Sequence, residues 1–302
     1  MGEKTGIEWC DATFNPWWGC TKVSPACTNC YAESSSKRFG HSIWGDKAPR
    51  RFFGEKHWSE PLRWNEKAKA SREPFRIFCA SMADILESRE DLLREQQKLW
   101  RLIESTPALT WLLLTKRPEN APDLLPSAWF KEWPRHVWFG ITTENQKYLE
   151  ERWQHAALVP AGIHFLSVEP LLGELDFERV PQPGHPKLHY NVLTGHWSHY
   201  GEDGQPDICE HWERETVDWV ILAGESGGPP ERALVERESW HGQGGMKYGP
   251  WEPKPKSLER VRAIRDQCEI ARVPFFFKAW GGQISKSGGR LLDGRTWDEF
   301  PS

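Results

Sequence analysis

The stretch TWLLLTKR, residues 110–117, is a continuous apolar run followed directly by polar and basic residues. A short buried run of this kind favours a β-strand. Similar runs, separated by charged, helix-compatible segments, occur at residues 76–80, 137–142, 163–168, 218–223 and 273–278. The segments 89–105 and 256–271 carry apolar side chains near helical spacing, as amphipathic helices do. This alternation predicts a parallel sheet covered by helices.

A further strand is predicted near Gly6–Trp9, which makes about six to seven parallel strands in total. The predicted fold class is therefore α/β, a partial (β/α) TIM-type barrel, in a single domain that spans residues 1–302. Two stretches interrupt the alternation: residues 181–217, rich in His, Gly and Pro, and residues 227–255, rich in Gly, Pro and charge. We interpret both as long loop insertions that shape the substrate side, because loops of this length are usually functional or disordered.

The first insertion contains several side chains that could bind a second metal ion. They are His189, His196, His199, Cys209 and His211. A solvated loop is the favoured interpretation of this segment.

Composition excludes several classes of protein. Hydrophobic residues make up 38% of the 302 residues and charged residues 27%, and no apolar run approaches the roughly 20 residues that a membrane span needs. The formal net charge of −4 provides no overall positive field to attract nucleic acid, although a local basic groove remains compatible with it. The first residues lack the apolar stretch of a signal peptide, so a cytoplasmic location is expected and the seven cysteines need a role other than disulfides.

Three of those cysteines lie in GCTKVSPACTNCYAE, residues 19–33. Cys20, Cys27 and Cys30 could bind zinc if Cys10 or a histidine such as His41 supplied a fourth ligand. A [4Fe–4S] cluster takes one thiolate per iron, so a loop with three cysteines leaves one iron open to a substrate or cofactor. We favour the cluster, and the zinc site remains the alternative.

Polar residues follow almost every predicted strand, at the edge where barrel enzymes place their active sites. They are Ser81, Met82 and Asp84; Thr115, Lys116 and Arg117; Thr142, Thr143, Glu144 and Asn145; Ser167 and Glu169; Gly224, Glu225 and Ser226; and Lys278 with Trp280. The small residues could equally cap the helices that follow. Long charged side chains at the ends of buried strands are costly unless they are paired or face a polar cavity. We therefore predict Lys116, Glu169, Glu225 and Lys278 as catalytic or site-lining residues.

Several motifs in combination resemble one family across nearly the whole chain. They are GIEWCDATFNPWWGCTKVSPACTNCYAE, LLLTKRPEN, FGITTENQ, FLSVEPLLGEL, ILAGESGG, FFFKAWGG and LDGRTWDEFP. With these motifs the chain resembles the phage-type three-cysteine-motif proteins, which are distant relatives of radical S-adenosylmethionine (SAM) enzymes. The chain departs from the superfamily in its first cysteine spacing, with six residues where three are usual, and it lacks the Gly-Gly-Glu sequence after the second strand.

The resemblance implies that Cys20, Cys27 and Cys30 bind a [4Fe–4S] cluster and that SAM binds its open iron. Tyr31 occupies the place of the aromatic residue that usually follows the third cysteine. The resemblance also implies that Ser81 and Asp84 contact the amino group of SAM, and that Thr142, Glu144 and Asn145 contact its ribose hydroxyls. At Gly224 we expect the backbone to approach SAM closely. Lys116, Arg117 and Lys278 would suit a carboxylate or phosphate on the substrate.

The resulting hypothesis is a radical SAM enzyme that abstracts hydrogen through a 5′-deoxyadenosyl radical. By analogy, we expect the enzyme to isomerise a hypermodified thymine base in phage DNA. We expect a flavodoxin or ferredoxin as its reductant and the host cytoplasm as its location. The alternative is a non-catalytic zinc- or cluster-stabilised module that binds nucleic acid or protein, and a degenerate family member is a third possibility. Most of the 19 tryptophans are expected in the core, although Trp17, Trp18 and Trp280 could stack on adenine or a substrate base.

Overall fold

Seven parallel strands form the central sheet of the computed structural model, which describes residues 5–182, 184–200, 206–208, 215–242, 245–283 and 287–302. The strands are β1 (Ala12–Thr13), β2 (Arg76–Cys79), β3 (Thr110–Thr115), β4 (Val137–Thr142), β5 (His164–Val168), β6 (Trp219–Ala223) and β7 (Phe275–Ala279). Neighbours in the sheet follow chain order from β1 to β7, and every neighbouring pair is parallel. The sheet curls into a half-barrel, so the predicted α/β partial barrel is confirmed.

Helices connect the strands and cover the outer face of the sheet. They are α1 (Tyr31–Arg38), α2 (Glu55–Trp58), α3 (Glu60–Ser71), α4 (Leu93–Glu104), α5 (Ala121–Leu124), α6 (Gln146–Ala156) and α7 (Pro255–Ala271). Short 3-10 turns lie at Pro25–Cys27, Glu90–Leu92, Pro118–Asn120 and Pro230–Arg232. In α4, Leu99, Trp100 and Ile103 are buried, as the apolar spacing of that segment predicts. The helix predicted at residues 256–271 is α7.

The first strand lies later in the chain than predicted. Residues 6–9 do not form a strand, and Trp9 instead inserts its buried side chain into the barrel interior. The strand is Ala12–Thr13, which pairs with Ile77 and Phe78 of β2. A side-chain contact fixes this register, because the backbone N–H of Arg76 donates to Asp11 Oδ2 at 2.7 Å. An aromatic side chain such as Trp9 can fill a core either from a strand or from an irregular segment. The sequence pattern therefore misplaced β1.

The inner and outer faces of the sheet carry separate apolar clusters. Outward side chains pack against the helices, whereas a second cluster from alternate positions fills the interior. Trp219 lies at the centre of the inner cluster, with ring centroids 5.1–6.3 Å from five aromatic neighbours, Trp9, Trp138, Phe165, Phe276 and Phe300. The expectation that tryptophans fill the core is confirmed for these residues. We call this inner cluster the aromatic layer.

Both insertions contain short antiparallel strands rather than only loops. In the first, Val180–Gln182, His185–Tyr190, Trp197–Tyr200 and Pro206–Ile208 form a four-stranded sheet. In the second, Val235–Glu236 pairs with Glu252–Pro253, and Ser239–Gly242 forms a hairpin with Gly245–Tyr248. The first sheet forms because Tyr190 and Trp197 are buried against the main core, with ring centroids 5.0 Å apart. A further short pair joins Trp17–Trp18 to Arg51–Phe52.

The second metal site considered for the first insertion does not form among its described histidines. Cys209 and His211 lie outside the described residues. Within the parts of the chain that the structure describes, no three His, Cys, Asp or Glu side chains converge on a position for a single metal ion. No helix in those same parts is both long enough and apolar enough to cross a membrane.

Candidate active site at the carboxyl ends of the strands

The cysteine loop, residues 20–30, crosses the end of β2. The backbone N–H of Gly19 donates to the carbonyl of Met82 at 3.0 Å, which fixes the start of the loop beside that strand. Gly19 has a φ of +114°, and a Cβ atom there would lie 2.4 Å from the carbonyl oxygen of Ile43, so only glycine fits. Cys20, Cys27 and Cys30 are free thiols, and each is partly exposed. The loop therefore presents three accessible sulfur donors at the edge of the sheet where the sequence predicts the site.

Arg117 binds the first part of the cysteine loop. Its Nη2 donates to the carbonyl oxygen of Thr21 at 2.6 Å, and its Nη1 lies 3.7 Å from Cys20 Sγ. The same Nη1 donates to Asp84 Oδ2 at 2.8 Å. The sequence suggested that Arg117 could bind an anionic group of the substrate. The structure instead places this buried guanidinium between a carboxylate and the cysteine loop.

The carboxylate of Asp84 is saturated by protein donors. Oδ1 accepts from Thr115 Oγ1 at 2.7 Å and from the N–H of Leu86 at 3.1 Å, and Oδ2 accepts from the N–H of Lys116 at 3.0 Å in addition to Arg117. Burial raises the pKa of Asp84, but the charge of Arg117 and these hydrogen bonds outweigh burial and hold the pKa below its usual value. Asp84 is thus an ionised, buried anchor for Arg117. Its implied contact with the amino group of SAM stays a prediction.

A second buried ion pair, between Arg50 and Glu87, also contacts the cysteine loop. Arg50 donates to both carboxylate oxygens of Glu87, at 2.6 and 3.1 Å, and to Thr21 Oγ1 at 3.0 Å. Its remaining nitrogen donates to the carbonyl oxygens of Ile43, Gly45 and Ala48. Sequence reasoning missed this pair, because Arg50 lies in an ordinary charged segment and its partner is 37 positions away.

Glu225 and Arg232 bind the other end of the cysteine loop. Arg232 donates to both oxygens of Glu225, at 2.6 and 2.7 Å, and to the carbonyl oxygen of Pro25 at 3.1 Å. Asn29 Nδ2 donates to the same carboxylate at 3.3 Å. The buried Glu225, predicted as a catalytic residue, therefore contacts the loop through two protein donors. Arg232 and Asn29 were not predicted, since nothing in their local sequence marks them.

Lys278 and Glu169 form an ion pair at the ends of β7 and β5. Lys278 lies two residues beyond Phe276, so its side chain follows the aromatic layer on the inner face. Both side chains are partly exposed, at 20% and 26%. Pairing is one of the two arrangements that make such strand-end charges tolerable, and these two residues adopt it at the mouth of the barrel. Their catalytic or site-lining role stays a prediction.

Tyr31, directly after Cys30, contacts the segment that follows β2. Its hydroxyl donates to the carbonyl oxygen of Ser81 at 2.9 Å. Burial of the hydroxyl, and next the charge of Glu169, raise the pKa of Tyr31 well above its usual value. Cys10 lies in the same region, and burial raises the pKa of its thiol to about 12 although Lys278 acts in the opposite direction. Tyr31, Cys30, Glu169 and Lys278 therefore belong to one neighbourhood.

The three loop cysteines differ in their electrostatic surroundings. Burial raises the pKa of Cys20 to about 12, against the opposing charge of Arg117. At Cys27 burial also acts to raise the pKa, but the charge of Lys116 and hydrogen bonds from the backbone of Val23 and Ser24 outweigh it and lower the pKa. Lys116 has no ion-pair carboxylate among the described residues. Its charge favours the thiolate form of Cys27, which is the form that binds metal.

The predicted ribose ligands at and after the end of β4 also contact other groups of the protein. Glu144 Oε2 and the carbonyl oxygen of Thr142 both accept from Arg152 Nη1 at 2.7 Å, and the Glu144 side chain is fully buried. Asn145 caps α6 by accepting from the N–H of Tyr148 at 3.3 Å, as the capping alternative predicts. Their contacts with SAM stay predictions.

Ser81 and Gly224 have structural contacts as well. Asn15, which is fully buried, exchanges hydrogen bonds with the Ser81 hydroxyl and accepts from the N–H of Met82 at 2.6 Å. A Cβ atom at Gly224 would lie 2.1 Å from the carbonyl oxygen of Trp280, so the close backbone approach at this glycine is to the residue that follows β7. The structure thus shows what each residue contacts within the protein, and ligand contacts at both stay predictions.

The three tryptophans singled out by sequence have unequal exposure. Trp17 and Trp280 are buried, and Trp280 Nε1 donates to the carbonyl oxygen of Leu291 at 2.8 Å. Trp18 is partly exposed and lies beneath Arg51, whose guanidinium carbon is 4.6 Å from the ring centroid. Core packing therefore accounts for two of the three.

Solved structures with a similar fold include spore photoproduct lyase. One of its mutants, with bound AdoMet and dinucleoside spore photoproduct, aligns with a TM-score of 0.50 and 14% identity over 90% of this chain and 76% of the lyase chain. A cysteine-to-serine mutant of the lyase aligns with a TM-score of 0.47 and 13% identity over 91% of this chain and 79% of the other. At this level of identity the likeness shows a similar fold and no more.

Sequence comparison identifies the family. No curated protein matches the sequence. A family model matches residues 4–243 and 239–301, which together cover nearly the whole chain. This match provides no evidence for the three-cysteine-motif family or for a phage origin, so that part of the resemblance stays a prediction. On the extent of the match, the chain belongs to the family described as protein of unknown function DUF5131.

Proposed function

We propose that the protein is a radical SAM enzyme whose cluster is bound by Cys20, Cys27 and Cys30. One observation carries the proposal: three partly exposed free thiols lie on a loop that Arg117 and Arg232 contact from two sides, at the carboxyl edge of a partial barrel. These contacts fix the loop backbone at Thr21 and Pro25, whereas the three thiols do not converge on one metal position among the described residues. Fixing the backbone that carries the ligands is part of the preorganisation that a catalytic site requires.

The residues of the loop fit an iron–sulfur cluster as a donor set. Thiolates are the protein ligands of such clusters, and the lowered pKa of Cys27 favours its thiolate. Arg117 Nη1 is directed toward Cys20 Sγ, and hydrogen bonds to sulfur ligands are one way in which proteins adjust cluster potentials. When bound, the cluster and SAM together supply reductive cleavage of the sulfonium, which gives methionine and a 5′-deoxyadenosyl radical.

The residues around the loop divide into two groups. Asp84 and Glu225 orient the arginines that contact the loop, so we assign them as positioning residues. Lys116, Glu169 and Lys278 retain partly exposed side chains at the mouth of the barrel, and we assign them to the substrate side. There Lys116 can bind an anionic group, and the Lys278–Glu169 pair can hold or transfer a proton.

Nucleic acid is the substrate class that we propose. The structurally similar lyase holds a dinucleoside photoproduct together with AdoMet, and this supports a nucleobase substrate for a related barrel. Isomerisation of a hypermodified thymine in phage DNA is the specific reaction that we propose, with electrons from a flavodoxin or ferredoxin. Both parts rest on the sequence resemblance.

The decisive experiment is anaerobic reconstitution of the full chain with iron and sulfide. We expect about four irons per chain and a broad absorption band of a [4Fe–4S] cluster. Addition of dithionite and SAM should then yield 5′-deoxyadenosine, measured by chromatography, and Cys27→Ala should abolish both iron binding and product. If wild-type protein forms neither a cluster nor 5′-deoxyadenosine, the proposal is wrong.

Cys10→Ala is the matched control and tests the zinc alternative. Cys10 lies near the site but outside the loop, and a closed four-ligand metal site would need it or a histidine such as His41. We expect Cys10→Ala to retain the wild-type iron content. Loss of metal as complete as in Cys27→Ala, with zinc bound by the wild type, would instead support the non-catalytic module.

A further inference from the structure

A cavity of about 620 Å³ opens in the second insertion. Its volume lies within the range of about 300–1,000 Å³ that is typical of sites for small ligands. The residues that matter for its chemistry are Arg237, Lys254, Tyr248, Trp251, Glu231 and Glu236. We call this cavity the Arg237 cleft. None of its residues is used by the site described above.

The Arg237 cleft adjoins the contacts that fix the cysteine loop. Pro230 lines the cleft, and Arg232, two residues later, binds both Glu225 and the carbonyl oxygen of Pro25. The cleft is also lined by Gln283, which directly follows Gly282, and the N–H of Gly282 donates to the carbonyl oxygen of Glu225 at 2.9 Å. A ligand in the cleft would therefore lie next to the proposed active site.

Arg237 is held by aromatic rings rather than by a carboxylate. Its guanidinium carbon lies 4.0 Å from the ring centroid of Tyr248 and 4.6 Å from that of Trp251. No ion-pair partner of Arg237 is found among the residues that the structure describes. A guanidinium stacked on rings keeps its N–H groups available in its own plane, where they match the oxygens of a phosphate.

The other charges in the cleft restrict what can bind there. Lys254 Nζ donates to the carbonyl oxygen of Pro230 at 2.7 Å and adds a second positive charge. Glu231 and Glu236 are exposed and line the same cleft. Because they balance the two positive charges, we expect a free anion to bind weakly. We expect tighter binding of a ligand whose phosphate contacts Arg237 and whose flat ring stacks on Tyr248, a residue that is 53% exposed.

We propose that the Arg237 cleft binds a phosphate of a single-stranded nucleic acid segment that flanks the reacting nucleotide, with an adjacent base stacked on Tyr248. This inference deepens the proposed function, since it identifies the substrate class of the same enzyme and the surface that holds it.

The test measures binding of a fluorescein-labelled eight-nucleotide oligothymidylate to the full chain by fluorescence anisotropy, without SAM. We expect Arg237→Gln to weaken binding roughly tenfold at low salt. It should also reduce the slope of log Kd against log salt concentration by about 0.7, the value for one lost phosphate contact on a single strand. Tyr248→Leu, which keeps all charges, should weaken binding without changing that slope.

Arg63→Gln is the control, because Arg63 is an exposed arginine on α3, far in sequence from the cleft. It should leave the Kd and the salt slope unchanged. Equal salt slopes for the wild type and Arg237→Gln would overturn the proposal. It would also be overturned if inorganic phosphate or thymidine displaced the labelled oligonucleotide as effectively as unlabelled oligonucleotide does. Because this assay needs neither cluster nor SAM, its failure is distinguishable from failure of the radical SAM chemistry.

Discussion

Asp84 illustrates how a strand-end carboxylate acts through another residue. Burial alone would favour its neutral form, but four donors and the charge of Arg117 keep it ionised. In turn Arg117 uses both terminal nitrogens, one on Asp84 and Cys20 and the other on Thr21. The position at the strand end was predictable, but the role was not, because it depends on a partner that lies 33 residues further along the chain.

We expect Asp84→Asn to destabilise the fold strongly. The change removes the negative charge and breaks the buried pair with Arg117, whose other carboxylate neighbour, Glu87, lies 4.0 Å away. Breaking a buried ion pair typically costs about 3–5 kcal/mol. The measurement is the free energy of unfolding from urea denaturation followed by tryptophan fluorescence. Glu66→Gln, which alters a fully exposed ion pair with Lys69, is the control and should leave the midpoint unchanged. A wild-type midpoint for Asp84→Asn would show that the ion pair does not stabilise the protein.

At the scale of elements, the cysteine loop is held by side chains from distant parts of the sheet. Arg117 follows β3, whereas Glu225 follows β6 and Arg232 lies in the 3-10 turn after it. The loop itself has little regular structure, with one 3-10 turn at Pro25–Cys27 before α1 begins. Within the loop, the N–H groups of Cys27 and Thr28 donate to the carbonyl oxygens of Ser24 and Pro25, and the side-chain contacts from the sheet order the rest of it.

Arg232→Met should loosen the second half of the cysteine loop while leaving the barrel folded. The change removes the hydrogen bonds to Pro25 and to both oxygens of Glu225. We expect backbone amides of residues 24–30 to exchange hydrogen at least tenfold faster, as measured by hydrogen–deuterium exchange with mass spectrometry, whereas peptides from β2 to β5 keep wild-type rates.

Arg262→Met is the matched control, since it removes an arginine–carboxylate pair with Asp293 on the exposed surface. Its cysteine loop should exchange at the wild-type rate. If the loop in Arg232→Met also exchanges at the wild-type rate, Arg232 has no positioning role.

At the scale of the whole molecule, the aromatic layer closes the interior of the barrel beneath the site. Trp219 and its neighbours occupy the inner face, and the polar strand ends follow directly above them. Gly140 makes this packing possible, because a Cβ atom there would lie 2.3 Å from Phe165 Cζ. The barrel interior is thus a packed core, as in complete barrels of this class.

We expect Gly140→Ala to lower the free energy of unfolding by about 1–3 kcal/mol, since the added methyl group collides with the Phe165 ring. Thermal unfolding monitored by circular dichroism provides the measurement. Phe165→Leu in the same chain should recover part of the loss by making room for the methyl group. Gly162→Ala, where no atom lies within 4 Å of the added Cβ, is the control. Equal stability of Gly140→Ala and wild type would contradict tight packing of this layer.

The sequence by itself determined the strand and helix pattern from β2 to β7, the cysteine loop and the polar strand ends, because periodicity and local composition are properties of neighbouring residues. It misplaced β1, where the packing of Trp9 and the contact of Asp11 with Arg76 decide the register. Only the tertiary structure showed that Asp84 and Glu225 are paired with arginines and that Arg50 and Arg232 contact the loop. These partners lie on separate segments, and whether a charged side chain faces a cavity or a counter-charge is settled only when the folded chain brings those segments together.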